Sequence, residues 1–191
     1  MRIFLTYVFI LAFFGLRSQP LTRKNVPFYI NNQLYNNALT GGVNNAQISE
    51  GDLNADGLMD LLLFDRDGNV IIPMIYNAKI GRYDYNSDLI RDLPRLKDWV
   101  KLLDYNKDGI IDIFTSSSNT QGIDGIEVYK GIVKSNKVHY QLQTNGKGNT
   151  VLKWPIGNFE SQIYVSAYDI PAFDDIDEDG DIDILTFGNG A

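Results

Sequence analysis

The sequence predicts an all-β fold built from repeated units, and three observations carry that prediction. Short runs rich in β-branched and aromatic residues recur along the chain, with apolar positions at period two and Gly, Asn and Asp between them. Beyond the N-terminal segment, no helical pattern of ten residues or more is found. One acidic nonapeptide occurs three times: "DLNADGLMD" at 52–60, "DYNKDGIID" at 104–112 and "DIDEDGDID" at 175–183. All three obey D-x-[DN]-x-D-G-x-x-D, and each is followed by an apolar run. A self-similar segment of this kind sets the architecture before any other reading.

The elements follow in chain order. Arg2 and the apolar run Ile3 to Leu16, closed by Ser18-Gln19-Pro20, read as a secretory signal peptide over residues 1–19. The run is short for a membrane span of about 20 residues. Residues 20–191 form the repeat region. "NVPFYINNQLYNNALTGGVNNAQ" reads as a strand and loops ahead of the first acidic segment. "LLLF" follows that segment, then the tight turn "DRDGN", where Gly68 is expected at positive φ. "VIIPMIYN" is a strand whose Pro73 points to an edge or a bulge. "GRYDYNSDLIRDLPRLKD" reads as a polar connection with room for a short helical turn.

The second unit repeats the plan. "WVKLL" enters its acidic segment and "IFTSS" leaves it; "SNTQGIDG" is a turn, and "IEVYKG" with "KVHYQLQT" is a hairpin closed by "NGKGN". "TVLKWP" and "QIYVSAYDI" read as further strands, "PAFDD" enters the third segment and "ILTFGNGA" leaves it. The nonapeptides start at Asp52, Asp104 and Asp175, an uneven spacing that implies an insertion in the second interval. Units of roughly 40–50 residues with four short strands are the size of propeller blades. A closed propeller has typically about four to eight blades, so about three blades predict a partial β-propeller, truncated at its C-terminus.

The chemistry of the acidic segment points to a hard cation. In the second copy, Asp104, Asn106 and Asp108 at positions 1, 3 and 5 converge if the backbone winds tightly, and Gly109 at position 6 permits that winding. The carbonyl of Ile110 at position 7 and the carboxylate of Asp112 at position 9 complete an all-oxygen set. The first copy offers Asp52, Asn54, Asp56, the Leu58 carbonyl and Asp60. The third offers Asp175, Asp177, Asp179, the Asp181 carbonyl and Asp183. Calcium accepts six to eight oxygens in irregular geometry, magnesium demands a tighter octahedron, and zinc prefers the His and Cys absent from these segments. Without an ion the clustered carboxylates repel one another.

Charge distribution agrees. The chain carries a formal −7, and setting aside the ten acids at ligand positions leaves +3. The acidity is therefore local to the three segments. The absence of a basic stripe speaks against nucleic acid. The absence of cysteine excludes disulfides and thiolate chemistry without excluding export. The one histidine, His139, cannot build a triad and reads as a surface or rim residue. Trp99, Trp154, Tyr83, Tyr85, Tyr129 and Tyr140 read as core packing before they read as a sugar platform. "GKGN" at 146–149 lacks the spacing of a phosphate loop.

An EF-hand is excluded because position 12 is Leu63, Thr115 and Thr186 where a bidentate Glu is required, and because the flanks read as strand. The segments "DLNADGLMDLL", "DYNKDGIIDIF" and "DIDEDGDIDIL" instead resemble the FG-GAP/VCBS repeats, the calcium loops of integrin-α propellers. The resemblance spans most of residues 40–191. It implies blades whose calcium lies in a hairpin loop, with the ligand residues named above. The resulting expectation is a secreted or cell-surface, non-enzymatic calcium-binding module for an extracellular protein or glycan, without a membrane span in the mature chain. The rival expectations are the propeller part of a polysaccharide-active enzyme and a structural spacer.

Overall fold

A computed structural model describes residues 26–38, 40–117, 124–144 and 150–187. The segment expected to be a signal peptide lies outside them, as do 118–123 of the expected turn, "NGKGN" at 145–149 and the last four residues.

The described chain is all-β, arranged as several small antiparallel sheets, none of them closed. A hairpin of β1 (Phe28–Ile30) and β2 (Gln33–Tyr35) comes first. A four-stranded meander follows, made of β3 (Ala46–Gly51), β4 (Asp60–Asp65), β5 (Val70–Asn77) and β6 (Arg82–Tyr85). A second meander contains β7 (Val100–Leu103), β8 (Asp112–Ser116), β9 (Ile126–Lys134) and β10 (Lys137–Leu142). Two hairpins complete the chain: β11 (Lys153–Ile156) with β12 (Phe159–Gln162), and β13 (Ala172–Asp174) with β14 (Asp183–Leu185). Two units thus carry four strands, whereas the third carries two among the described residues, short of the three blades expected. The one helical element described is a 3-10 turn at Leu89–Arg91.

Several local expectations change. The stretch read as a polar connection contains β6, whose otherwise open edge is closed by a side chain: Asn37 Nδ2 donates to the Tyr83 carbonyl at 2.9 Å, and its Oδ1 accepts the Tyr85 amide at 2.8 Å. Pro73 lies in β5, an interior strand, opposite Leu62. It is tolerated there because β6 pairing begins at Met74, and the Pro73 carbonyl takes the Asn86 amide just past the end of that ladder. In the turn after β4 the left-handed residue is Asn69 at φ 50°, not Gly68. The β9–β10 hairpin forms as expected, through Ser135 and Asn136, both at positive φ, the pattern whose twist matches the flanking strands. "QIYVSAYDI" contributes only Gln162 to a strand, because the "WPIGNFES" segment folds into β11–β12 around Gly157 at φ 58°.

The units pack in sequence order. Leu53, Leu62 and Phe64 of the first meet Leu96, Val100, Leu102 and Ile113 of the second. Trp99, Phe114, Ile126 and Val128 then meet Val165, with Phe173 and Ile184 of the third unit against them. Trp99 is fully buried and bears out the core reading, but Trp154 is 54% exposed on a hairpin with no sheet behind it. His139 is half-buried on β10. Polar contacts fix the first two units strand to strand: Gln47 Oε1 accepts the Val100 amide at 3.0 Å, and Ser49 Oγ donates to the Val100 carbonyl at 3.3 Å. Arg66 ties all three, donating to the carbonyls of Asp98 at 2.8 Å, Ala167 at 3.3 Å and Tyr168 at 3.0 Å.

Tyr140 packs on the first core cluster, but its buried hydroxyl finds no partner. Burial, with the charges of Asp112, Asp52 and Asp60 around it, pushes its ionisation well above the usual phenol range. A buried polar atom without a partner costs about 1–3 kcal/mol. Tyr140→Phe is therefore expected to stabilise the fold by about 1 kcal/mol in urea denaturation. A loss of stability of that size would show that the hydroxyl is bonded in solution.

Candidate metal centre

Each acidic nonapeptide is the loop between the first two strands of its unit. The frame is the same in all three: Gly51 pairs with Asp60, Leu103 with Asp112 and Asp174 with Asp183. The position 9 aspartate is thus the first residue of the returning strand in every copy.

The backbone of the three loops matches as well. Position 6 is left-handed as the sequence requires, with Gly57 at φ 83°, Gly109 at 82° and Gly180 at 94°. Position 4 is also left-handed, although it holds Ala55 at φ 61°, Lys107 at 57° and Glu178 at 60°. No side-chain signal marks that position, so sequence reasoning misses it. Such a conformation at a non-glycine residue persists where its surroundings over-determine it.

Those surroundings are the Asp and Asn side chains of the loop itself. The position 6 amide donates to the position 1 carboxylate in every copy: Gly57 to Asp52 at 2.8 Å, Gly109 to Asp104 at 2.7 Å and Gly180 to Asp175 at 2.9 Å. The position 5 amide donates to the side chain at position 3: Asp56 to Asn54 at 2.9 Å, Asp108 to Asn106 at 3.0 Å and Asp179 to Asp177 at 3.3 Å. The position 7 amides of Leu58, Ile110 and Asp181 donate to the position 5 carboxylates at 2.9, 3.0 and 2.9 Å. Positions 1, 3, 5 and 7 therefore wind around one another in all three copies, while among the described residues three carboxylates come within reach of one ion in the third copy alone.

Position 9 has a second role that spacing does not reveal. Asp60 is fully buried; one oxygen takes the Leu53 amide at 3.0 Å and the other the Tyr76 amide of β5 at 2.8 Å. Asp112, equally buried, takes the Tyr105 amide at 3.3 Å and the Gly131 amide of β9 at 2.8 Å. Asp183 takes the Ile176 amide at 2.9 Å. In the first two units the carboxylate fastens the loop to the third strand of the sheet, and in the third, a two-stranded hairpin, it holds the loop alone. Burial raises the pKa of both Asp60 and Asp112; two backbone amides lower it, and the neighbouring loop carboxylates raise it further.

The third loop is the most concentrated. Carboxylate oxygens of Asp175, Asp177 and Asp183 all lie within 4.8 Å of one another, so these residues can hold a metal ion. The buried Asp175 Oδ1 has no hydrogen-bond partner, an acceptor that a cation would satisfy. The donor set contains only oxygen, which fits a hard cation. The loops also lie close together: Lys107 Nζ of the second donates to the Gly180 carbonyl of the third, and Gly51 at the base of the first faces Ile111.

Fold and site together define an all-β chain in which one acidic loop gathers three carboxylates that could hold a metal ion. No family model, curated protein or solved structure matches the chain.

Proposed function

We propose that this chain is an exported calcium-binding β-repeat protein of the FG-GAP/VCBS type, part of a β-propeller, and a non-enzymatic extracellular binding module. One observation carries the reading: three separate loops share one backbone conformation and one hydrogen-bond frame, with acids at the oxygen-ligand positions. The backbone amides account for part of that acidity, but in the third loop oxygens of Asp175, Asp177 and Asp183 gather within 4.8 Å with Asp175 Oδ1 left without a donor, an arrangement that a cation would offset. The ligands are Asp52, Asn54, Asp56, the Leu58 carbonyl and Asp60; Asp104, Asn106, Asp108, the Ile110 carbonyl and Asp112; Asp175, Asp177, Asp179, the Asp181 carbonyl and Asp183.

The ion supplies charge compensation and a structural staple, because binding to the folded loop alone stabilises the fold by linkage. The apolar N-terminal run supports export, and the extracellular side supplies calcium. The partner in this reading is an extracellular protein or glycan bound by loops on the sheet ends. Equilibrium dialysis of the purified chain against calcium, followed by elemental analysis, is expected to return three calcium ions per chain. A chain that emerges metal-free from millimolar calcium would remove the reading.

A further inference from the structure

The first and second loops offer the same ligand residues: Asp, Asn, Asp and Asp at positions 1, 3, 5 and 9. They differ in what the third strand brings to them. In the second unit, Lys130 of β9 places its Nζ 3.1 Å from Asp108 Oδ2, with both side chains about one-third exposed (34% and 33%). In the first unit the corresponding residue is Ile75. The correspondence is fixed by the ladders and by the position 9 bonds: Tyr129 opposes Ile113 as Met74 opposes Leu61, and the Gly131 amide meets Asp112 as the Tyr76 amide meets Asp60. Among the described residues, no other ligand-position acid of the three loops has an ion pair. Lys107 reaches a backbone carbonyl of the third loop and leaves the second loop's acids alone.

We infer that Lys130 is a resident counter-cation of the second loop, which sets its calcium affinity below that of the first. The inference rests on the calcium reading above and adds a graded occupancy to it. The physical reason is competition. A calcium ion that takes Asp108 must displace or crowd an ammonium already on that carboxylate, and the two cations repel each other at close range. The first loop has an uncharged side chain in that place and no such penalty. The ammonium is partly solvated, so the effect is moderate: about three- to tenfold in dissociation constant.

The position 6 glycines give one reporter per loop, because each donates its amide to the position 1 carboxylate of its own loop. In a calcium titration of the full chain followed by amide NMR, the Gly57 resonance is expected to reach its midpoint at about three- to tenfold lower calcium than Gly109. In Lys130→Ile the Gly109 midpoint moves down to that of Gly57, while Gly57 and Gly180 keep theirs. In Lys130→Arg, which keeps the charge, the Gly109 midpoint stays high. A Gly109 midpoint equal to or below that of Gly57 in the native chain overturns the inference, as does one that Lys130→Ile leaves unmoved. If none of the three glycines responds to calcium, the calcium reading itself falls, a result distinct from a response without the ranking.

Discussion

Removing calcium is expected to lower the melting temperature of this chain by roughly 15–30 °C, the largest effect foreseen for any single change of conditions. At calcium about a hundredfold above its dissociation constant, one loop contributes about 2.7 kcal/mol. A chain of this size shifts by about 2–4 °C per kcal/mol. The ion-free loops have a specific reason to be weak. Asp60 and Asp112 are buried carboxylates whose neighbours at positions 1 and 5 are also acids, and burial and repulsion both oppose their ionised form. In the proposed function, bound calcium would turn that repulsion into attraction. Calorimetric scans in EDTA, in calcium and in magnesium separate the cases. Magnesium restores little, because its small octahedron keeps its water and does not suit a ring of carboxylates spread over nine residues. Superimposable scans in EDTA and calcium would exclude a structural ion.

The loops were legible in the sequence because their chemistry is local. Positions 1, 3, 5 and 6 act within one turn of chain, so residue type and spacing specify them, and the strands on either side follow from their apolar runs. What escaped was non-local. The partners of the position 9 carboxylates come from Tyr76 and Gly131, on strands whose register no spacing rule gives. The left-handed Ala55, Lys107 and Glu178 carry no glycine to betray them. β6 is missed although "RYDY" alternates polar and aromatic residues, because four residues inside a polar stretch are a weak signal and its edge is closed by Asn37, a residue of the preceding hairpin segment. Trp154 misled for the opposite reason. Its size argues for burial, but burial needs a second layer, and β11–β12 is a lone two-stranded hairpin.

Gly131→Ala tests the link between the second loop and its sheet, and it is expected to destabilise the fold by about 3 kcal/mol and to empty that loop of calcium. Gly131 lies on β9 directly behind the loop. A Cβ added there would stand 2.3 Å from the Ile111 carbonyl oxygen and 2.7 Å from Ile110 Cγ2. The nearer atom is backbone, so no rotamer change relieves the clash and the loop must shift. Overpacking of this kind costs about 1–3 kcal/mol. The shift also pulls Asp112 away from the Gly131 amide, its 2.8 Å bond, and leaves a fully buried carboxylate short of a donor. That adds about 1–3 kcal/mol. The first unit shows that the demand for glycine is particular to this place: Tyr76 occupies the corresponding position and gives Asp60 the same bond, with its ring against Tyr83, centroids 5.2 Å apart. In the second unit the residue opposite is Tyr140, and the loop backbone occupies the space a side chain would need. Urea denaturation of Gly131→Ala measures the loss, and the Gly109 amide in a calcium titration reports the loop. Stability within 1 kcal/mol of the native chain, together with an unchanged Gly109 midpoint, would show that the loop does not depend on this contact.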